Sequence, residues 1–280
     1  MPRSGKPEQI NVWRLDGLPE LELRSGVAVM APYPRHWHEE YQFCLIQAGG
    51  GKLFYRGVFH ETPRTSLFIV HPGEVHSNQT TTGCSFRSIY VAPQILRQIM
   101  STANGQMGSL PFFPDPIVFD REIIALYQLL HLSTSHETLE CESLLNELLS
   151  KLTTRYAQNP ASLEPLGKEH KTVDAVRDYI FEYHYRNISL KELAHLANLS
   201  PFHLTRIFTK GVGMPPHAFQ TQVRISEAKK LLRSGLPLAS VAATAGFADQ
   251  SHFIRHFKRL MKITPGEYLK SARTFNTELV

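Results

Sequence analysis

LSPFHLTRIFTKGVGMPP, Leu199 to Pro216, and GFADQSHFIRHFKRLMKITP, Gly246 to Pro265, are two versions of one pattern. In each, a small polar residue precedes a run whose apolar side chains recur at helical spacing. The run carries basic residues, and a turn followed by proline ends it. At an offset of 49, Leu204, Arg206, Phe208, Lys210, Pro216 and Phe219 align with Phe253, Arg255, Phe257, Arg259, Pro265 and Tyr268. At an offset of 48, Leu193, Ala194, Ala197 and Leu199 align with Val241, Ala242, Ala245 and Phe247. The one-residue slip falls in a turn, where insertions are cheap.

Each copy has a mechanical reading. SLKELAHLA, Ser189–Ala197, starts with Ser followed three residues on by Glu192, the signature of a capping box. Its Leu190, Leu193, Ala194 and Ala197 are expected to face inward. After a turn at Asn198-Leu199, Ser200 is placed as N-cap and Pro201 at the first position of a second helix. Leu204, Ile207 and Phe208 of that helix point inward, while Phe202, His203, Thr205, Arg206 and Lys210 point elsewhere. In the second copy Leu238–Ala245 is the first helix, Gly246-Phe247 lies at the turn and Asp249 caps the next helix. Phe253, Phe257 and Leu260 go inward, leaving Gln250, Ser251, His252, Ile254, Arg255, Lys258 and Arg259 outside. Two helices joined by a tight turn, the second with a polar and basic outer face, form a helix-turn-helix. One copy alone reads equally as a packed helical hairpin. Two copies joined by a long helical stretch, Ala218–Arg233, can hold two recognition helices about 34 Å apart, one turn of DNA.

Charge distribution agrees. From Lys168 onward there are 17 Lys+Arg and 9 Asp+Glu, a balance of +8, whereas the first 167 residues carry 13 and 16, a balance of −3. The basic half is a candidate for an acidic polymer such as DNA. At 280 residues, two domains are expected. MPRSGKPEQI lacks an apolar core, so no signal peptide is expected. No run approaches the 18 or so apolar residues of a membrane span, so no membrane partner is expected. Cys44, Cys84 and Cys141 are odd in number and share no CxxC spacing, which points to reduced thiols and a cytoplasmic location.

The front half reads differently. From Val27 to about Val91 short β-rich runs (YQFCLIQAG, GKLFYRG, SLFIVHPGEVH) are cut by Gly, Pro and Asn, as in a small barrel or sandwich. Residues 1–25 read as an arm or edge strands, and residues 104–118 as a connector. A helix from Asp120 to Leu132 follows. A second, Thr138–Gln158, carries a stripe of Cys141, Leu144, Leu145, Leu148, Leu149, Leu152 and Tyr156. That stripe must cover its own β domain, a second copy of the chain, or both. NPASLEPLGKEHK, Asn159–Lys171, reads as a linker. HWHEEY, His36–Tyr41, reads as His-x-His on one strand, which puts both imidazoles on the same face, and HPGEVH adds His76. This skeleton is similar to that of cupin barrels, whose enzymes hold a metal with such histidines plus a Glu. The Glu is missing here: Gln42 or Phe43 stands where it is expected, and only Glu40 shares the strand face of His38. Three uses stay open for His36, His38, Glu40 and His76: a metal-free ligand pocket, a metal site, or a structural core. The reading adopted for these four is ligand binding, with no metal, cofactor or catalytic residue expected.

The run A-x-x-A-G-F-x-D-x-S-x-F-x-R-x-F-K-R-x-x-x-x-T-P-x-x-Y, Ala242 to Tyr268, resembles the signature of the AraC/XylS family of bacterial transcriptional regulators, and the likeness extends over about Val173–Arg273. The resemblance implies an α+β multidomain protein. A cupin-like sensor, 1–118, carries a helical pair at 119–158 that dimerises. A linker, 159–171, leads to an all-α DNA-binding domain, 172–280, with two helix-turn-helix motifs. It implies a sequence-specific regulator of promoter DNA, an activator under a small-molecule effector, working as a homodimer with RNA polymerase. By position it assigns DNA contacts to Ser200, Phe202, His203, Thr205, Arg206 and Lys210 in the first copy. In the second copy it assigns them to Gln250, Ser251, His252, Ile254, Arg255 and Arg259. Arg206 suits guanine and Gln250 adenine. Arg255 is left between a DNA contact and an internal structural role. Lys210, Lys258 and Arg259 are left between phosphate contacts and solvated charges. The first copy departs from the pattern at Pro201, Phe202 and the pair Pro215-Pro216. Two other functions remain: a metal-dependent cupin enzyme fused to a DNA-binding domain, and a constitutive DNA-binding factor whose barrel only dimerises.

Overall fold

A computed structural model of the chain describes residues 8–15, 18–80, 82–104, 110–132, 138–158 and 168–271. Two compact units divide it, one built on residues 38–162 with the N-terminal strands and one on residues 163–269. Most of the linker expected at 159–171 lies outside the described residues. Its last four positions, Lys168–Lys171, are already helical.

Among the described residues the β-rich part holds ten strands: β1 (Gln9–Leu15), β2 (Leu18–Val29), β3 (Tyr33–His36), β4 (Tyr41–Gly49), β5 (Gly51–Tyr55), β6 (Val58–Thr62), β7 (Leu67–Val70), β8 (His76–Gln79), β9 (Cys84–Val91) and β10 (Ile117–Val118). They form a six-stranded sheet, β1-β2-β9-β4-β7-β10, and a four-stranded sheet, β3-β8-β5-β6. Three helices, α1 (Pro93–Asn104), α2 (Arg121–Leu132) and α3 (Thr138–Tyr156), complete the unit. The large sheet is buried on both faces, so Tyr41–Ile46 in β4 has no wet side.

On one face Leu21, Leu23, Tyr41, Phe43, Leu45, Ile89 and Val91 pack with Ile123 and Tyr127 of α2 and Leu145, Leu148, Leu149 and Leu152 of α3. The Tyr127 hydroxyl lies between the Phe43 and Arg87 carbonyl oxygens at 2.7 and 2.8 Å. Leu145, Leu148, Leu149 and Leu152 of the α3 stripe are therefore covered by their own domain. The other face turns to the second sheet, where Cys44, Ile46, Phe68, Val70 and Phe86 meet Leu53 and Tyr55.

His131, near the end of α2, is buried with its ring stacked on Tyr127 at 4.8 Å and edge-on to Trp13 at 5.8 Å. Burial pushes its pKa down to about 3; Arg87 adds to the fall, and backbone groups of Tyr127, Ser88 and Arg24 oppose it. The unfolded chain binds this proton below about pH 6.5 and the folded chain does not. Stability from His131 is thus intact above pH 6.5 and erodes by about 1.4 kcal/mol per unit as pH falls toward 3. Between pH 7 and 5 the wild-type domain is expected to lose roughly 2 kcal/mol more than His131→Leu in urea titrations. Parallel losses in the two proteins would show that other groups carry the acid response.

The second unit is helical: α4 (Lys168–Tyr183), α5 (Leu190–Leu196), α6 (Pro201–Val212), α7 (Pro216–Arg233), α8 (Leu238–Thr244), α9 (Gln250–Met261) and α10 (Pro265–Ser271). Its core joins Val176 and Ile180 of α4, Leu193 and Ala194 of α5, Leu204 and Phe208 of α6, Phe219 and Val223 of α7, and Val241, Phe253, Phe257 and Tyr268 from the later helices. Leu190, expected to face inward, is instead 42% exposed at the start of α5, one position after the N-cap Ser189. The 18 residues of α7 span about 27 Å.

Candidate DNA-reading and effector sites

The two helix-turn-helix copies repeat down to their hydrogen bonds. In the first, the Leu199 amide donates to the Ala194 carbonyl at 2.9 Å and the Asn198 amide to His195 at 3.0 Å. In the second, Phe247 donates to Ala242 at 2.9 Å and Gly246 to Ala243 at 3.1 Å. Both are Schellman closures, which need a left-handed residue after the helix. Asn198 (φ 53°) and Gly246 (φ 85°) supply it. Ser200 then accepts the His203 amide at 3.2 Å, and Asp249 accepts the His252 amide at 2.7 Å. Two residues, Phe247 and Ala248, separate Gly246 from Asp249 and only Leu199 separates Asn198 from Ser200, so the slip between offsets 48 and 49 is the extra residue Ala248.

These closures fix the outer faces of α6 and α9. Phe202, Arg206 and Lys210 of α6 are exposed, and Thr205 is half-buried with its hydroxyl donating to the Pro201 carbonyl at 2.9 Å. On α9, Gln250, Ser251, Arg255, Lys258 and Arg259 are exposed and Ile254 is half-buried. Ser251, Ile254, Arg255, Lys258 and Arg259 line one shallow, open depression. Neither Arg206 nor Arg255 is ion-paired among the described residues. Arg255, left between a DNA contact and an internal structural role, is exposed on α9.

Three assigned residues serve the helices themselves. Ser200 is the cap, and His203 and His252 are half-buried with their amides held by the caps. The His252 ring packs at 4.5 Å from His256 and 5.6 Å from Phe247. Burial, then Arg259 and neighbouring cations, lower His256 to about 4, so that ring adds no charge near neutral pH.

Inside the barrel a polar layer stands between the sheets. Gln42 donates to the Tyr90 hydroxyl at 3.0 Å and to Ser88 Oγ at 3.3 Å, and His38 Nε2 meets Gln42 Oε1 at 3.3 Å. The His38 ring lies 4.9 Å from His76 and 5.2 Å from Tyr90. The Arg24 guanidinium covers the other side of Tyr90 at 4.6 Å and donates to Glu22 at 2.6 and 3.0 Å. Burial raises Tyr90 and Tyr33 well above the ordinary phenol range.

Of the four residues assigned to ligand binding, His38 and His76 come together here. Glu40 enters through its backbone carbonyl, 2.7 Å from His38 Nδ1. The expectation that His36 and His38 share a strand is corrected: β3 ends at His36, whose Nδ1 meets the Pro34 carbonyl at 2.8 Å. His38 lies in a bend where its carbonyl accepts the Gly73 amide at 2.8 Å. Among the described residues no three His, Cys, Asp or Glu side chains converge as metal donors. Gln42, which stands where a cupin metal Glu is expected, joins this layer, and Tyr90 and Arg24 carry no sequence signal of it.

The remaining histidine of HPGEVH has a structural task. His71 Nε2 accepts the Phe113 amide at 3.0 Å, which puts its proton on Nδ1, 3.6 Å from Glu74. Arg56 pairs with Glu74 at 2.8 Å and lies over the Phe112 ring at 4.5 Å. Burial would raise Glu74, but hydrogen bonds from His71, Arg56 and Tyr55 outweigh it and hold the carboxyl at about 2.

The chain is similar to known proteins. Residues 22–149 match the family described as AraC-like ligand binding domain, and residues 193–271 match the Helix-turn-helix domain family. An uncharacterized HTH-type transcriptional regulator of Bacillus subtilis, YbfI, is 31% identical over 243 residues, covering 85% of this chain and 88% of that protein. The transcriptional activator RhaS of Pectobacterium carotovorum is 21% identical, covering 83% and 86%. Among solved structures, ToxT of Vibrio cholerae with an unsaturated fatty acid bound superposes with a TM-score of 0.54 at 16% identity, covering 99% of this chain and 100% of that one. No helix among the described residues is long and apolar enough to cross a membrane. The chain belongs to the AraC family of helix-turn-helix transcriptional regulators.

Proposed function

We propose that the chain reads promoter DNA through α6 and α9 in successive major grooves and activates transcription when a small molecule enters the barrel. The observation that carries this reading is the repeat itself. Two turns closed by matching hydrogen bonds each present an unpaired exposed arginine, Arg206 and Arg255, on the second helix. Base contacts fall to Phe202, Thr205, Arg206, Gln250, Ser251, Ile254 and Arg255. Lys210, Lys258 and Arg259 fit phosphates. In this reading residues 1–158 sense and dimerise, and the helical domain from α4 onward binds DNA and contacts RNA polymerase. The effector would hydrogen-bond to the layer of His38, Gln42, His76 and Tyr90, and a metabolite acts as a switch only by binding one state better. The enzyme alternative needs metal donors that His38 and His76 do not complete among the described residues.

Footprinting on DNA upstream of the protein's own gene and its neighbours tests this. Protection is expected over two adjacent major grooves per subunit. Arg206→Ala is expected to weaken binding by about 1–3 kcal/mol and to relax preference at one base pair. Lys210→Ala is expected to weaken all sequences alike and reduce the salt slope by about 1. A metabolite that shifts the wild-type footprint but not that of Gln42→Leu would identify the effector. Uniform protection at every sequence would sink the sequence-specific reading.

A further inference from the structure

Phe202 is 81% exposed, the most exposed of the large apolar side chains among the described residues. It sits one position after Pro201 in the first turn of α6, where a recognition helix brings its side chains to base edges. Nothing in α6 requires an aromatic residue there, because Leu204, Ile207 and Phe208 form the buried face. The same outer face carries Thr205 and Arg206, three and four residues on. The Thr205 hydroxyl is held by the Pro201 carbonyl at 2.9 Å, so the side chain offers its methyl group rather than a free donor. The face therefore runs from an apolar end, Phe202 and Thr205, to a cationic one, Arg206 and Lys210. In the major groove the apolar feature that distinguishes one base from the others is the thymine C5-methyl.

We propose that Phe202 is a specificity-determining residue that packs on a thymine methyl in the half-site read by α6. This rests on the DNA-binding reading above and names the base that one side chain selects. Residues i and i+4 on a helix lie about 6 Å apart, and base pairs are spaced about 3.4 Å apart. The thymine accordingly lies within about two base pairs of the pair contacted by Arg206. In the second copy the equivalent of Phe202 is Ser251, a hydroxyl, so the two half-sites differ at this position and the operator is asymmetric there.

The test uses the full-length protein and a duplex selected by it from a random pool. Each thymine of the selected site is replaced singly by deoxyuridine, which removes the methyl and keeps every hydrogen-bonding group. Wild type is expected to lose about three- to fivefold in affinity at one thymine, the value of one methyl-sized contact. That thymine should lie within two base pairs of the position relaxed in Arg206→Ala. Phe202→Ala is expected to melt like wild type, to bind random duplex as wild type does, to bind the selected site more weakly, and to be indifferent to deoxyuridine at that thymine. If wild type ignores deoxyuridine throughout that window, or Phe202→Ala keeps the full penalty, the assignment is wrong. If the pool yields no preferred sequence, the DNA-reading assignment itself fails and this one falls with it.

Discussion

Glu22→Gln is expected to unfold the sensor domain under conditions where wild type is folded. Glu22 is 2% exposed in the middle of β2, and its two carboxylate oxygens serve two arginines. Oε1 accepts from Arg24 Nε at 3.0 Å and from its terminal nitrogen at 2.6 Å, while Oε2 accepts from Arg14 at 2.9 Å. Burial alone would lower the pKa of Arg24, but Tyr90 and Glu22 outweigh that and keep it charged. A glutamine preserves the shape and removes the charge. Arg24 then remains ionised inside the barrel without the carboxylate that compensates it. Removing one partner of a buried pair costs about 3–5 kcal/mol, a large part of the 5–15 kcal/mol that holds a typical domain. Equilibrium urea unfolding measures the loss. A second variant separates charge from shape: Glu22→Gln with Arg24→Met should recover most of the stability, because replacing both partners by uncharged groups is often nearly neutral. If Glu22→Gln costs less than about 1 kcal/mol, water or another group compensates Arg24.

That pair also shows where sequence reading stopped. Leu21-Glu22-Leu23-Arg24 alternates apolar and charged residues, the pattern of a strand with one wet face. The barrel nevertheless buries the second face too, and there the charges meet each other and Tyr90. Alternation reports that two faces differ, not that one is solvated. His36-x-His38 failed for a related reason. The same-face inference assumed an unbroken strand, and β3 stops at His36 because His38 is held in a bend by Gly73 and Glu40. Helix α1 went unread, although Pro93 at its first position was a start signal. The DNA-reading half was legible because its signals are local. Caps at Ser189, Ser200 and Asp249 and turns at Asn198 and Gly246 each depend on a few neighbouring residues, and the repeat states them twice. The barrel interior depends on strands brought together from positions such as 24, 42 and 90, whose pairing no local pattern encodes.

Gly246→Ala is expected to cost the helical domain about 2–4 kcal/mol and to abolish reading by α9, because two penalties coincide at one position. The first is conformational. Gly246 has φ +85°, where an L-residue with a Cβ is strained by about 1–2 kcal/mol. The second is steric. A Cβ there would stand 2.4 Å from the Tyr185 carbonyl oxygen and 2.6 Å from its Cα, and backbone cannot step aside as a flexible side chain can. Gly235 provides the control within the same unit. It has φ +82° with nothing within 4 Å of the added carbon, so Gly235→Ala should pay the conformational penalty alone. Thermal melts of the two variants therefore measure the Tyr185 contact by difference. The first copy supplies a second comparison. Asn198 occupies the corresponding turn position at φ 53°, and asparagine is among the residues that tolerate this region. Asn198→Gly should be close to neutral, whereas Gly246→Asn should fail as Gly246→Ala does, since any Cβ meets Tyr185. Equal costs for Gly235→Ala and Gly246→Ala would mean that the Tyr185 backbone yields, and that the glycine is there for its φ alone. The unequal result would mean that the second turn, unlike the first, is built against the backbone of the residues after α4, so that the orientation of α9 depends on that contact as well as on its own cap.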